Sequence, residues 1–327
     1  MDASRLSPAA GASTNARAGG VRCAGRAPEG ALPYVKAGNV AAPLPKRCST
    51  MACRPPRGKP VQTQMARPHP ALRPYIDRYW SWEATPGERI ALPRLLPGTG
   101  AEVFLHHRLP FRSESGAALP AAHMLSVRLQ PYALASTHDI GFTAIRIRAG
   151  RWGALVRESI GRLLDTQAPI DALWGREALH WHEQVAQAAD FSQRVALIDA
   201  FLLARLAPAH ADAQVTAAVA ALYAAPHATS IDALAARLHL GRRQLERRFL
   251  AVEGLPAVAF RRLVRFQHTV RALHLQPQSP LLDTALAHGY YDQPQFNREF
   301  RSLTGQSPLR YRQDAQSKTH FYKTSLA

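Results

Sequence analysis

A chain of 327 residues with a hydrophobic share of 46% has material for two domains with real cores. Its net charge of +18 at pH 7 points to a polyanionic partner, nucleic acid first, because binding to phosphates releases counterions. The cysteines, Cys23, Cys48 and Cys53, are odd in number and unrepeated in spacing, which argues against a disulfide framework. No apolar run approaches the roughly 20 residues that a membrane span needs, and no secretory core opens the chain. The expectation is a cytoplasmic protein without a membrane partner.

Residues 1–66 are rich in Ala, Gly, Pro, Ser and Arg and carry no helical or strand periodicity. They read as a disordered basic tail, or as a mis-assigned start if translation begins at Met51 or Met65. Order is expected from His69–Trp80 onward. Short strands are expected at Ala101–His106, at Met124–Leu129 and over Phe142–Arg148, with Gly and Pro between them. In the last strand the alternation is imperfect, with Phe142, Ala144 or Ile145, and Ile147 sharing one core. After Gly153 the pattern turns helical, and Phe191–Leu206 carries Val195, Ile198, Phe201 and Leu202 at helical spacing. Residues 67–207 therefore read as a mixed α/β domain closed by helices, and Ala207–Ala211 as a hinge.

From Asp212 to Arg312 every segment reads as a short helix. Ile231, Leu234, Ala235 and Leu238 form an apolar stripe behind Ser230, a suitable N-cap. His239-Leu240-Gly241 then makes a turn. In the following helix Leu245 and Phe249 face inward. That leaves Arg242, Arg243, Gln244, Glu246 and Arg247 for a DNA groove and backbone, where Arg reads guanine and Glu accepts from cytosine. The grammar repeats about fifty residues on. Leu282–His288 forms a helix, Gly289 turns, Asp292 caps the next helix, and Pro294 falls in its first turn. Phe296 and Phe300 face inward there, and Gln293, Gln295 and Arg298 face out. Tyr290 and Tyr291 read as packing and turn residues. Between the two units, Pro256–Leu275 forms a helix of about 18 residues, roughly 27 Å long. That length suits two readers on one face of a duplex whose turn is about 34 Å.

These residues carry a specific resemblance. Leu234-Ala235-Ala236-Arg237-Leu238, Leu245-Glu246-Arg247-Arg248-Phe249, Gly254 and Arg265 come first. The run Gly289–Phe300 with Gly305, Ser307-Pro308 and Tyr311-Arg312 completes it. Together they resemble the DNA-binding domain of the AraC/XylS family of bacterial transcription regulators. The resemblance implies an α+β sensor-like N-terminal domain followed by an all-α double helix-turn-helix domain. It places the sensor or dimerisation half at 67–207, the reader at 208–313 and a flexible tail at 314–327. It nominates Arg243, Glu246 and Arg247 in the first unit, and Gln293, Gln295 and Arg298 in the second, as base-facing. The implied partner is double-stranded DNA, with RNA polymerase, a small-molecule effector and a second copy of the chain as further partners. No cofactor, metal or catalytic residue is expected. Where the family has Ser or Thr capping the first recognition helix, Gly241 stands here.

Other constellations carry less. His106-His107 and His180-Trp181-His182 lack a completing Cys or carboxylate cluster for a metal. Trp80, Trp82, Trp152, Trp174 and Trp181 read as core. One rival is a regulator coupled to DNA alkyl transfer, which needs a four-cysteine zinc site where this chain has three cysteines. Another is an architectural protein that binds DNA without sequence choice.

Overall fold

The computed structural model describes residues 35–36, 61–85, 89–92, 94–135, 137–208 and 212–317. The cysteines, most of the basic tail, residues 209–211 of the expected hinge and residues 318–327 lie outside them. The strands are β1 (Val35–Lys36), β2 (Gln62–Ala66), β3 (Ile76–Glu83), β4 (Arg89–Ile90), β5 (Ala101–His106), β6 (Ala122–Leu125), β7 (Thr137–His138), β8 (Gly141–Ile147) and β9 (Thr166–Pro169). Seven of them form one antiparallel sheet in the order β1-β9-β6-β5-β8-β3-β2, and β4 pairs with β7.

Both faces of this sheet are buried, which explains the blurred alternation of β8. Phe142 and Ala144 enter a ring-rich cluster with Trp80, Trp82, Phe104 and Phe111. Ile145 and Ile147 face the opposite way, with Tyr79, Val103 and Met124, toward the helices. The ring cluster packs edge to face, Trp80 lying 5.1 Å from Phe142, and Phe104 and Phe142 each 5.2 Å from Phe111. A strand covered on two sides needs apolar residues at consecutive positions, so period two fades.

Two expectations need correction. Within the segment assigned to the tail, residues 35–36 form β1, paired with β9, and residues 62–66 form β2, paired along β3 from Gln62↔Glu83 to Ala66↔Tyr79. An edge strand of this kind is held by backbone pairing with only Met65 and Ala66 packed, so apolar periodicity is weak. The strand expected at Met124–Leu129 instead ends at Leu125. Beyond it the buried Arg128 bonds Leu96 O and Ser126 O, which turns the chain away from the sheet.

Helices α1 (Ile170–Trp174), α2 (Glu177–Gln187) and α3 (Phe191–Arg205) cover the second face. Trp181 stacks on Phe201 at 3.8 Å with Trp174 edge-on. Trp152, Trp174 and Trp181 each donate their indole N–H to a backbone carbonyl, so they serve as core. Polar pins fix these helices to the sheet. Arg194 bonds Glu83 at 2.6 Å, and Tyr79 donates to Asp199 at 2.7 Å. His106 lies among Phe111, His123 and Phe142, whereas His107 meets Glu83 at 3.2 Å. Among the described residues no group of three or more His, Cys, Asp or Glu is placed to hold a metal ion, and no helix is long and apolar enough to cross a membrane.

The remaining helices are α4 (Ala213–Ala224), α5 (Ile231–Arg237), α6 (Arg242–Glu253), α7 (Ala257–Leu275), α8 (Leu281–Ala287), α9 (Gln293–Thr304) and α10 (Pro308–Ser317). The first four residues expected to form the C-terminal tail, 314–317, thus belong to α10. The apolar cluster on the helix side of the sheet continues without interruption into α4–α10. Close contacts reinforce this seam. Thr99 bonds Tyr223 of α4 and, at 2.9 Å, Gln267 of α7. Gly254, at φ 74°, ends α6 against Gly161, and a Cβ there would sit 2.6 Å from the Gly161 Cα.

Glu253, the last residue of α6, is 1% exposed in this seam. Neither carboxyl oxygen has a full hydrogen bond, the Gly150 N–H being the polar group beside it. Burial pushes its pKa from 4.5 up to about 8, against a small opposing pull from Gly150. The folded chain thus keeps a proton that the unfolded chain releases between those values, so this carboxyl lowers stability progressively as pH rises from 4.5 to about 8. Glu253→Gln, neutral throughout, is expected to change little at pH 5 and to stabilise at pH 8 by up to a few kcal/mol, at about 1.4 kcal/mol per pKa unit. Melting curves of both proteins at the two pH values check this, and an equal shift at both would contradict it.

Candidate nucleic-acid interface

The first reader is built from the caps inward. Asp212 accepts from Gln214 N and Val215 N and so starts α4. The same carboxylate takes two bonds of 2.7 Å from Arg248, fastening α6 to the start of α4. Burial raises the Asp212 pKa, but the Arg248 bond and the backbone N–H groups outweigh it and hold the group below its ordinary value. Ser230 caps α5 through Ala233 N. Ala235 is buried where α5 and α6 meet, and His239, at φ 56°, makes the turn. Gly241 begins α6 with no side-chain cap. Leu245 and Phe249 are fully buried.

The second reader repeats this plan with a fuller cap. Gly289, at φ 74°, turns between α8 and α9, and a Cβ there would fall 2.3 Å from the His227 Cβ. Asp292 accepts from Gln295 N at 2.6 Å, while the Gln295 side chain accepts from Tyr291 N at 2.8 Å. The two side chains thus satisfy N–H groups in both directions, as in a capping box. Phe296 and Phe300 are fully buried. Tyr290 is buried beneath Arg265, whose guanidinium lies 4.3 Å from the ring centre, and Arg265 bonds Glu299 at 2.6 Å.

Helix α7 joins the two. Its 19 residues span about 28 Å at 1.5 Å each. Near its start Phe260 packs on Phe249 at 5.1 Å, and further along Phe266 packs on Phe300 at 5.4 Å. Each recognition helix is thereby held by one ring pair to the same rod. Tyr311 of α10 closes the far side, 5.4 Å from Phe300 and bonded to His274.

The nominated side chains fall into two groups. Arg243, Gln244 and Arg247 are exposed on α6, and Arg298 is exposed on α9. No hydrogen bond or ion pair engages them among the described residues. Gln293 is half-buried at the first position of α9. The others have work inside the protein. Arg242 pairs with Asp232 at 2.9 Å. Glu246 accepts from Ala257 N at 3.0 Å, satisfying an open donor at the start of α7. Gln295 belongs to the cap described above. Tyr291, expected to pack or turn, is 88% exposed. It stands directly before the cap of α9, a position whose only signal in the chain is an aromatic residue next to a helix start.

A family model described as a helix-turn-helix domain matches residues 234–314. Among solved structures, the chain is similar to a transcriptional regulator with an AraC-type DNA-binding domain from Chromobacterium violaceum, at 26% identity over 31% of this chain and 91% of that one, with a TM-score of 0.29. It is similar to the DNA-binding domain of AdpA, solved in complex with a target DNA, at 23% identity over 32% and 96% of the two chains, TM-score 0.30. ToxT from Vibrio cholerae is similar at 12% identity over 78% and 98%, TM-score 0.41.

The caps generate a direct comparison. Asp292→Ala is expected to cost about 1 kcal/mol, because the first-turn N–H of Gln295 loses its side-chain acceptor. A Cβ added at Gly241 meets nothing within 4 Å, so Gly241→Ser is expected to gain a few tenths of a kcal/mol. Urea unfolding gives both values. Amide exchange at Gln295 should quicken in the first variant, and slowing or no change there would contradict the cap.

Proposed function

We propose that this chain, whose C-terminal part is an AraC-type helix-turn-helix domain, is a cytoplasmic transcriptional regulator that reads duplex DNA in two successive major grooves. The observation that carries the reading is the common rod. Two recognition helices are each fixed by a ring pair to one helix of 19 residues, which holds both rigidly for a duplex whose equivalent groove positions recur about every 34 Å. Arg243, Gln244 and Arg247 of α6 then face one groove, and Gln293 and Arg298 of α9 the next. Arg and Gln supply the bidentate donors that distinguish guanine and adenine. Arg242, Glu246 and Gln295 stand at the same surface and would exchange an internal bond for one to DNA. Tyr291 joins them as an exposed ring beside the second groove. The net charge of +18 supplies sequence-independent attraction to phosphate. A second copy of the chain, an effector and RNA polymerase complete the assembly that such a regulator works in.

The test starts from a site recovered by genome-wide mapping of bound DNA. Full-length protein is expected to prefer it to random duplex by about a thousandfold or more. Arg243→Ala and Arg298→Ala should each cost about 1–3 kcal/mol on that site and relax the choice of one base. Equal affinity for selected and random duplex would sink sequence reading and leave an architectural role. A loss that is uniform across sequences would make those arginines phosphate contacts.

A further inference from the structure

A cavity of about 630 Å³ opens at the seam between sheet and reader. Its volume lies within the range of small-molecule sites. One wall comes from β3, β5 and the end of β8, the other from α4 and α7. Ile147, Val219 and Leu275 give it an apolar part. The remainder of its lining is charged. Among the described residues, Arg78, Arg146, Arg148, Arg151 and Arg271 line it against Asp77 and Glu102, a formal excess of three positive charges.

The two carboxylates are already shared. Asp77 meets Arg78 at 2.8 Å and Arg148 at 3.0 Å. Glu102 meets Arg128 at 3.4 Å and Arg146 at 3.6 Å. Burial raises the Glu102 pKa, but Arg146 and Arg128 outweigh it and keep the group ionised. Each of the two described carboxylates of the lining thus already serves two arginines. Like charges that face one another across a cavity with apolar walls focus a positive potential into it. Guanidinium groups match carboxylate and phosphate oxygens two at a time.

We propose that this seam cavity binds a small organic anion carrying at least two negative charges, a phosphate ester or a polycarboxylate, that bridges the arginines of the sheet to Arg271 of α7. Binding would neutralise the excess charge and draw the end of β8 toward the helix that carries both recognition helices. The effect on DNA depends on the regulatory reading above, but occupancy of the cavity does not, so the two can fail separately.

Full-length protein without DNA is titrated by calorimetry with citrate, 3-phosphoglycerate, ribose 5-phosphate and inorganic pyrophosphate, and with decanoate as a single-charge apolar acid. At least one multiply charged probe is expected to bind and to raise the melting temperature. Arg271→Gln and Arg151→Gln should each weaken it by roughly tenfold or more. Arg162→Gln, at an exposed arginine outside the cavity, should leave it unchanged. Arg271 is exposed on its helix, and circular dichroism of each variant verifies folding. Three results would each overturn the assignment: no binding of any multiply charged probe at millimolar concentration, equal weakening by Arg162→Gln, or decanoate binding as tightly as the best polyanion. Citrate binding without the phosphates, or the reverse, identifies the source of the charge. DNA titration with and without the bound probe then measures coupling.

Discussion

The packing of Phe249 on Phe260 and of Phe300 on Phe266 is the constraint on which the reader depends. A recognition helix of 12 residues is too short to be stable alone in water. Each is stable because its apolar side is pressed against α7, and each is aimed because that contact is a ring pair of fixed geometry. The spacing of the two readers is then a property of one helix, not of flexible connections. Arg248 on Asp212 and Arg265 on Glu299 set rotation about those contacts. Such partly buried, multiply bonded ion pairs contribute direction more than stability.

The sheet serves the reader from the other side. Its ring-filled face is closed by its own loops, and its helix-facing side runs into the reader core. The sheet is thus tied to α6 and α7 at Gly161, Thr99 and the arginine-lined cavity. Any change in how the sheet sits reaches the rod directly, through contacts with no intervening linker. This gives a physical path from a bound anion to both recognition helices.

Much of the reader was legible in the chain because its signals are local. Ser230, Asp212 and Asp292 cap helices within three residues of themselves, and Leu245/Phe249 and Phe296/Phe300 show helical spacing. The sheet was less legible, since β8 is covered on both faces and β2 is held mainly by backbone pairing. The surface roles of individual side chains were the least so. Nothing near Glu246 in the chain announces that its carboxylate will accept from Ala257 N. Gln295 fits the adenine-reading pattern and the capping pattern equally well. The cavity joins residues from Pro74 to Leu275, and no local window contains it.

The shared core has a consequence for the reader taken by itself. A fragment cut at residue 212 would keep its caps, its ring pairs and its recognition surface. It would also bare the sides of α4, α6 and α7 that now lie beneath Thr99, Gly150 and Gly161. Glu253 would meet water there and lose the burial that holds its proton. The fragment would then carry one more negative charge, at the C-terminal end of α6, where the helix dipole disfavours an anion. The isolated reader is therefore a chemically different object from the reader in the whole chain: less basic by one charge, frayed at the end of its first recognition helix, and apolar on a flank the full protein never exposes.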